Sequence, residues 1–253
     1  MWQWRKTVRL TLPVILLGLC SVSLHAQIDK QIPRPKKYLQ AAVYDSAAGI
    51  KMYEKLNVAL GGDSVRYTIK GYACTDWVDD FYENGQLLHH GYYVQGQLKT
   101  YKNFYDNGQV ERHFRLLTLS SYQMTLYWLN GKVRSDVAYV DGIANKTSEY
   151  YENGNAEFYE EYSKKNDYLI TRKFFFENGW PQRSTELLDA KRRRYQFKEF
   201  HENGQLEEEG ILIYHRDVDD LIKDGTWKTY DETGKLILIQ EFSVGQLSSE
   251  KKM

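Results

Sequence analysis

Several side chains in this sequence are of the types that chemistry uses. His89 and His90 are adjacent, a tempting pair for a metal ion. Neighbouring residues of a strand point to opposite faces, so on a strand the two would not chelate together. His113, His201 and His215 lie apart and keep no ligand spacing. Asp79-Asp80 and Glu207–Glu209 are carboxylate clusters, and glycoside hydrolysis needs two carboxylates across a cleft. Lys191–Arg194 (KRRR) is a basic run that could meet nucleic acid, anionic lipid or polysaccharide. Basic and acidic residues balance at 34 each, which removes the bulk field that nucleic acid needs and leaves the run as a solvated loop. Cys74 has no histidine or basic neighbour in sequence, so it reads as a small apolar residue. No acid, base and nucleophile converge. The expectation is therefore no catalytic residue, no metal, no cofactor, no nucleic-acid partner and no enzyme activity.

The elements that must position these residues come from a repeat. FYENGQL at Phe81–Leu87 returns as FYDNGQV (Phe104–Val110), YYENGNA (Tyr150–Ala156) and FHENGQL (Phe200–Leu206). The turn glycine recurs at Gly85, Gly108, Gly131, Gly154, Gly179, Gly204 and Gly234, at intervals of 23, 23, 23, 25, 25 and 30 residues. A second glycine, Gly96, Gly142 or Gly245, follows three of these by 11 residues. That is the spacing of a β-hairpin array. Four residues before the turn glycine stands a constant aromatic: Phe81, Phe104, Tyr127, Tyr150, Phe175, Phe200 or Tyr230. Two after it stands Leu87, Val110, Val133, Ala156, Pro181, Leu206 or Leu236.

The turn type decides the facing of these columns. A two-residue type I′ turn pairs the constant aromatic with a charged column (Glu111, Arg134, Glu157, Glu207). A three-residue type I turn with a glycine bulge pairs it with the apolar column instead, giving one apolar stripe. Asp231-Glu232-Thr233-Gly234 has type I chemistry, so the bulged turn is expected throughout. A second ring column, Tyr82, Tyr105, Trp128, Tyr151 and Phe176, then falls on the opposite face. It is the candidate binding face, a platform of exposed rings, if the sheet does not curl over it. Lys164–Lys173 and Leu187–Phe197 lack the second glycine, which predicts altered turns, and Arg216–Lys223 reads as an inserted loop. Seven units supply roughly 14 strands and a sheet of roughly 65 Å, long enough that it must twist.

The unit resembles the MORN repeat, in the variant found in proteins grouped as YwqK-family antitoxins. Gly91–Leu98 (GYYVQGQL) with Tyr101–Gly108, and Gly225–Gly234 (GTWKTYDETG), carry the resemblance, which covers about residues 72–248. It implies an elongated antiparallel hairpin array and a binding surface for proteins or membranes. The antitoxin grouping implies a toxin partner.

The N-terminus has the order of an export signal. Arg5, Lys6 and Arg9 precede an apolar run, Leu10–Cys20, of 11 residues, and small residues lead to a cut after Ala26. The run is too short for a span of roughly 20 residues. Leu17–Cys20 resembles a lipobox, but Leu19 stands where a small residue is usual, which disfavours anchoring at Cys20. Cleavage leaves 31 basic and 34 acidic residues and Cys74 as the one thiol, so no internal disulfide can form. The expected domains are a signal peptide (1–26), a leader with a helical cap (27–71), the repeat domain (72–248) and a tail (249–253). The cap helix is placed over Tyr44–Leu60, capped by Asp45 or Ser46 and ended by Gly61-Gly62, with Val65–Lys70 as the first strand. Gly61–Arg66 could instead be a binding loop, and Asp63-Ser64-Val65 resembles a short glycan-acceptor motif of bacterial envelope proteins. The fold expected is mainly β, a MORN-like hairpin array with a short N-terminal helix. The function expected is a non-enzymatic scaffold of the bacterial envelope, periplasmic, outer-membrane-associated or secreted, that binds a protein. A glycan or membrane surface is the alternative partner.

Overall fold

The computed structural model describes residues 65–67, 71–82 and 84–253, with two short strands before them. The chain divides into two units, Met1–Lys37 and Tyr38–Met253, and every described residue lies in the second. The two short strands are β1 (Tyr44–Asp45) and β2 (Ile50–Lys51), paired antiparallel. They correct the expected helix at those four residues: Tyr and Ile suit a strand, and Gly49 between them opposes a helix. The export signal and the rest of the helical cap lie outside the described residues.

The remaining strands form one sheet in chain order. They are β3 (Asp76–Phe81), β4 (Leu87–Val94), β5 (Gln97–Phe104), β6 (Val110–Leu116), β7 (Ser121–Tyr127), β8 (Val133–Val140), β9 (Ile143–Tyr150) and β10 (Ala156–Tyr162). Then follow β11 (Leu169–Phe175), β12 (Pro181–Asp189), β13 (Arg194–Phe200), β14 (Leu206–His215), β15 (Asp220–Tyr230), β16 (Leu236–Ser243) and β17 (Gln246–Lys252). All neighbours are antiparallel, so among the described residues this is an open, 15-stranded meander without a helix. Strand β17 reaches Lys252, so residues 249–252 are strand and not a tail. Val65 and Tyr67 make only isolated bridges, to Gln97 and Ala73, because the Arg66 side chain between them turns into the core.

All seven repeat turns have the bulged form. Phe81 pairs with Leu87, Phe104 with Val110, Tyr127 with Val133, Tyr150 with Ala156, Phe175 with Pro181, Phe200 with Leu206 and Tyr230 with Leu236. Each turn glycine sits at φ between 82° and 94°, where a side chain would be strained. The second turns at Gly96, Gly142 and Gly245 are two-residue turns with Gln95, Asp141 and Val244 also at positive φ, the type I′ pattern. In three of the turns where that glycine is missing, Asn166, Arg193 and Asp219 take the left-handed position; the turn at 117–120 has no residue at positive φ. Asp220–Lys223 belongs to β15, so the expected inserted loop shrinks to residues 216–219 and the insertion lengthens a hairpin.

One feature of every hairpin escaped the sequence. Beyond the turn, one further residue is squeezed out of register: Leu88, Glu111, Arg134, Glu157, Gln182, Glu207 or Ile237. A bulge sets two residues against one and resets the alternation. The register then defines two faces. Val78, Gly91, Tyr101, Phe114 and Met124 form a continuous row on the inner face. They join Cys74, Tyr93 and Leu98 as the buried core. Trp77, Asp79, His90, Tyr92 and Lys102 lie on the open face, none of them buried.

Candidate interaction faces

The second ring column belongs to the inner face, not to an exposed platform. Tyr82 and Tyr105 are buried, while Trp128, Tyr151 and Phe176 are half-buried. Each donor-bearing ring reaches the carbonyl of the next repeat's constant aromatic. Tyr82 Oη donates to Phe104 O at 2.6 Å, Tyr105 Oη to Tyr127 O at 2.8 Å and Tyr151 Oη to Phe175 O at 2.8 Å. Trp128 Nε1 donates to Tyr150 O at 3.1 Å. His201 Nε2 stands 3.1 Å from Tyr230 O in the same role. The column is a hydrogen-bonded ladder that ties hairpin to hairpin. Its choice of Tyr and Trp was the available signal, since a column serving packing alone could take Phe.

The turn asparagines make a parallel seam. Asn130, Asn153 and Asn203 donate Nδ2 to the carbonyls of Glu152, Glu177 and Glu232 in the following turn, at 2.9, 2.9 and 2.8 Å. Their Oδ1 atoms accept the backbone N–H two residues on, as do those of Asn84, Asn107 and Asn178. The turn at Asp231–Gly234 carries Thr233 in the asparagine position.

The ladder breaks at Phe176, which has no polar hydrogen to donate. There a shallow cleft of about 440 Å³ opens, lined by Phe176, Gln182, Glu199, His201, Glu202 and Glu207 among others. Burial raises the Glu199 carboxyl above its ordinary range, against the pull of Arg183, 3.6 Å away. His201 Nδ1 lies 3.7 Å from Glu207. The two ring nitrogens of His201 thus face Glu207 and the Tyr230 carbonyl. Among the described residues no three His, Cys, Asp or Glu side chains could hold a metal ion.

The histidine and aspartate pairs separate as strand residues do. Asp80 is buried and bonded to Arg66, whose Nη2 lies 2.8 Å from its Oδ2. His89 is buried beside Asn103 Oδ1 at 2.7 Å, and desolvation, partly offset by that bond, pushes its pKa down to about 3. Nothing in the sequence marks Arg66 as the partner of Asp80, because it precedes the repeat. On the open face His90 pairs with Asp79 and is stacked under Trp77, ring centroids 4.1 Å apart. In the KRRR run, Arg192 lies 3.9 Å from Asp189 and Arg193 covers the Tyr214 ring at 4.7 Å.

The open face carries the other aromatic column. Phe81, Leu87, Phe104, Val110, Tyr127 and Val133 alternate across adjacent strands, and the pattern continues to Tyr230 and Leu236. Phe81 is 43% exposed, and the remaining constant aromatics are half-buried. This ribbon of rings and aliphatic side chains, offered by every repeat, is the apolar surface available to a partner. Trp77, 51% exposed, lies on the same face further along β3, against His90 and Tyr92.

Residues 196–212 and 223–243 match the family model described as the MORN repeat variant. The similarity to the MORN repeat is shown for those two stretches. The matched stretches take in most of β13 to β16, and the earlier hairpins repeat their bulged turns and ring columns. MORN repeats are in general protein- or membrane-binding motifs. No curated protein matches the chain. Among solved structures, a mutant of S. aureus TarM in complex with Fondaparinux, alpha-GlcNAc-glycerol and UDP is similar at 13% identity and a TM-score of 0.19. That likeness covers 58% of this chain and 21% of TarM. The TcdB2-TccC3-Cdc42 structure is similar at 8% identity and a TM-score of 0.19, over 73% of this chain and 14% of the other. Neither likeness bears on the fold or function of the MORN array.

Proposed function

We propose that this MORN-repeat chain is a non-enzymatic binding scaffold of the bacterial envelope, and that its partner is a protein seated on the open-face ribbon. The observation that carries the reading is the division of labour between the two ring columns. The inner column spends its donors on the ladder. The open column keeps seven half-exposed or exposed rings in register with aliphatic neighbours. Contiguous apolar surface of this kind marks interaction sites. Export by the N-terminal signal would place the scaffold outside the cytoplasm. Neutralising a toxin, as in the YwqK antitoxin grouping, would be one form of such binding, and the toxin would then have to be met outside the cytoplasm.

The exposed Trp77 shelf favours a second reading, in which the ring face meets a glycan or lipid surface. A photocrosslinking residue at Tyr127 or Tyr150, compared with one at Trp128 or Tyr151, separates the alternatives in the native envelope fraction. A specific protein adduct from the open-face positions alone supports the scaffold. Adducts to lipid or glycan support the second reading. Equal labelling from both columns would sink the ribbon as the binding surface.

A further inference from the structure

Six of the seven repeat turns contain Asn-Gly, the dipeptide in which a backbone nitrogen reaches a side-chain carboxamide with least hindrance, since glycine has no Cβ. The reaction needs only water. The glycine nitrogen attacks Asn Cγ and loses its proton, the Cγ–Nδ2 bond breaks, ammonia leaves and a succinimide ring remains. Water then opens the ring at either carbonyl, leaving aspartate or isoaspartate.

The fold opposes this step in two ways. In every such turn the glycine N–H donates to the carbonyl three residues earlier, at 2.8–2.9 Å, and that bond must break before the nitrogen can attack. This restraint is common to all six. The second restraint differs from turn to turn, because it acts on the leaving nitrogen. Asn130, Asn153 and Asn203 each hold Nδ2 on the carbonyl of the next turn. Asn107 holds it within its own turn, on Gln109 Oε1 at 3.2 Å. Asn178 and Asn84 donate to no neighbouring turn; each carboxamide is held through Oδ1 alone, by Trp180 N–H at 2.8 Å and by Gln86 N–H at 3.0 Å. The Trp180 ring lies against the glycine of the following turn. A Cβ built on Gly204 would stand 2.9 Å from it.

The geometry points to Asn178 as a site of spontaneous deamidation in the folded protein, level with Asn84 and ahead of the three asparagines stitched to the following turn. Conversion places a new carboxylate beside Glu177 and, in its isoaspartate form, adds a backbone atom to the turn that ends β11.

The test is peptide mapping by mass spectrometry of the folded, full-length chain held at mildly alkaline pH, with the denatured chain in parallel. One hydrogen bond on the leaving group retards conversion by roughly two- to tenfold. Asn178 should therefore convert faster than Asn130, Asn153 and Asn203 by that factor. In denaturant the four rates should converge, which assigns the difference to the fold. Asn84, unstitched beside Gln86, should keep pace with Asn178 in the folded chain. Equal rates in the folded chain, a faster stitched asparagine, or an Asn84 rate no higher than those of the stitched three would overturn the assignment.

Discussion

Tyr105 shows how a single side chain joins one repeat to the next. Its ring is 4% exposed, and its hydroxyl donates 2.8 Å to Tyr127 O. Burial, and then the Glu111 charge, push the phenol up to about 12, so it remains a donor across the pH range of interest. Tyr105→Phe keeps the ring and deletes the donor, and should cost about 1 kcal/mol in a denaturant titration. Phe176→Tyr is the reverse experiment. It supplies a hydroxyl at the broken rung and should gain about 0.5–1 kcal/mol. If Tyr105→Phe is neutral, the ladder contributes nothing and the rings act by packing alone. His89 supplies a pH prediction at the same scale. Its folded pKa of about 3 lies below the ordinary value of 6.5, so the unfolded chain binds a proton that the folded chain refuses. The neutral ring's contribution is present above about pH 6.5 and is lost as pH falls through that window towards 3. The slope it adds is at most about 1.4 kcal/mol per pH unit. His89→Gln should remove that slope; an unaltered stability profile would show that His89 does not titrate on unfolding.

The hairpin is the element where sequence and structure agree best, and where their difference is most informative. Asn-Gly phasing and the apolar column at Leu87, Val110 and Val133 were enough to choose the bulged turn, because only that turn puts rings opposite aliphatic side chains. Which face would be buried was not legible. The residue squeezed out beyond each turn, such as Leu88 or Arg134, resets the alternation on one strand and leaves no sequence mark. The resetting helps to turn Tyr82 and its relatives inward with the bulged residues; Arg134 lies over the Trp128 ring at 4.9 Å. Arg66 was invisible as a core residue for a different reason, since its partner Asp80 lies across a segment that the repeat does not describe. Two glycines separate backbone strain from packing. Gly131 sits at φ 82° with nothing near its absent Cβ, so Gly131→Ala should cost about 1–2 kcal/mol through conformation alone. Gly210 has no such φ, but a Cβ there would stand 2.3 Å from the Trp227 indole. Gly210→Ala should cost about 1–3 kcal/mol by overpacking and shift the tryptophan near-ultraviolet circular dichroism, which Gly131→Ala should leave unchanged. Similar spectra for the two variants would mean that the Trp227 contact is not what fixes Gly210.

Across the whole sheet, each strand pairs only with its neighbours and side chains reach at most to the next hairpin, so stability is a sum of local terms and need not be uniform. The terms are unequal. The core residues Val78, Tyr93, Leu98, Tyr101, Phe114 and Met124 all belong to β3–β7, where Arg66 and Asp80 are also buried. From β10 onward fully buried apolar side chains are fewer, Leu169, Tyr195 and Trp227, and the inner face adds half-buried ion pairs, Arg172 with Glu160 at 2.5 Å and Lys223 with Glu208 at 2.6 Å. Partly exposed pairs of this kind contribute little each. Strand β17 is exposed at all seven positions and pairs on one side only, with β16. Its Lys251 and Lys252 discourage the open edge from capturing another strand. The array should therefore open from β17 inward. Native-state hydrogen exchange should find amides of Gln246–Lys252 least protected, those of β10–β16 intermediate, and those flanking Tyr93, Tyr101 and Phe114 closest to the global limit. Added salt should widen the gap, because it screens the ion pairs of the later repeats and leaves the apolar core of the earlier ones untouched. Uniform protection from β3 to β16 would mean that the hydroxyl ladder and the asparagine seam couple the hairpins into one cooperative unit, and that local burial does not set the order of opening.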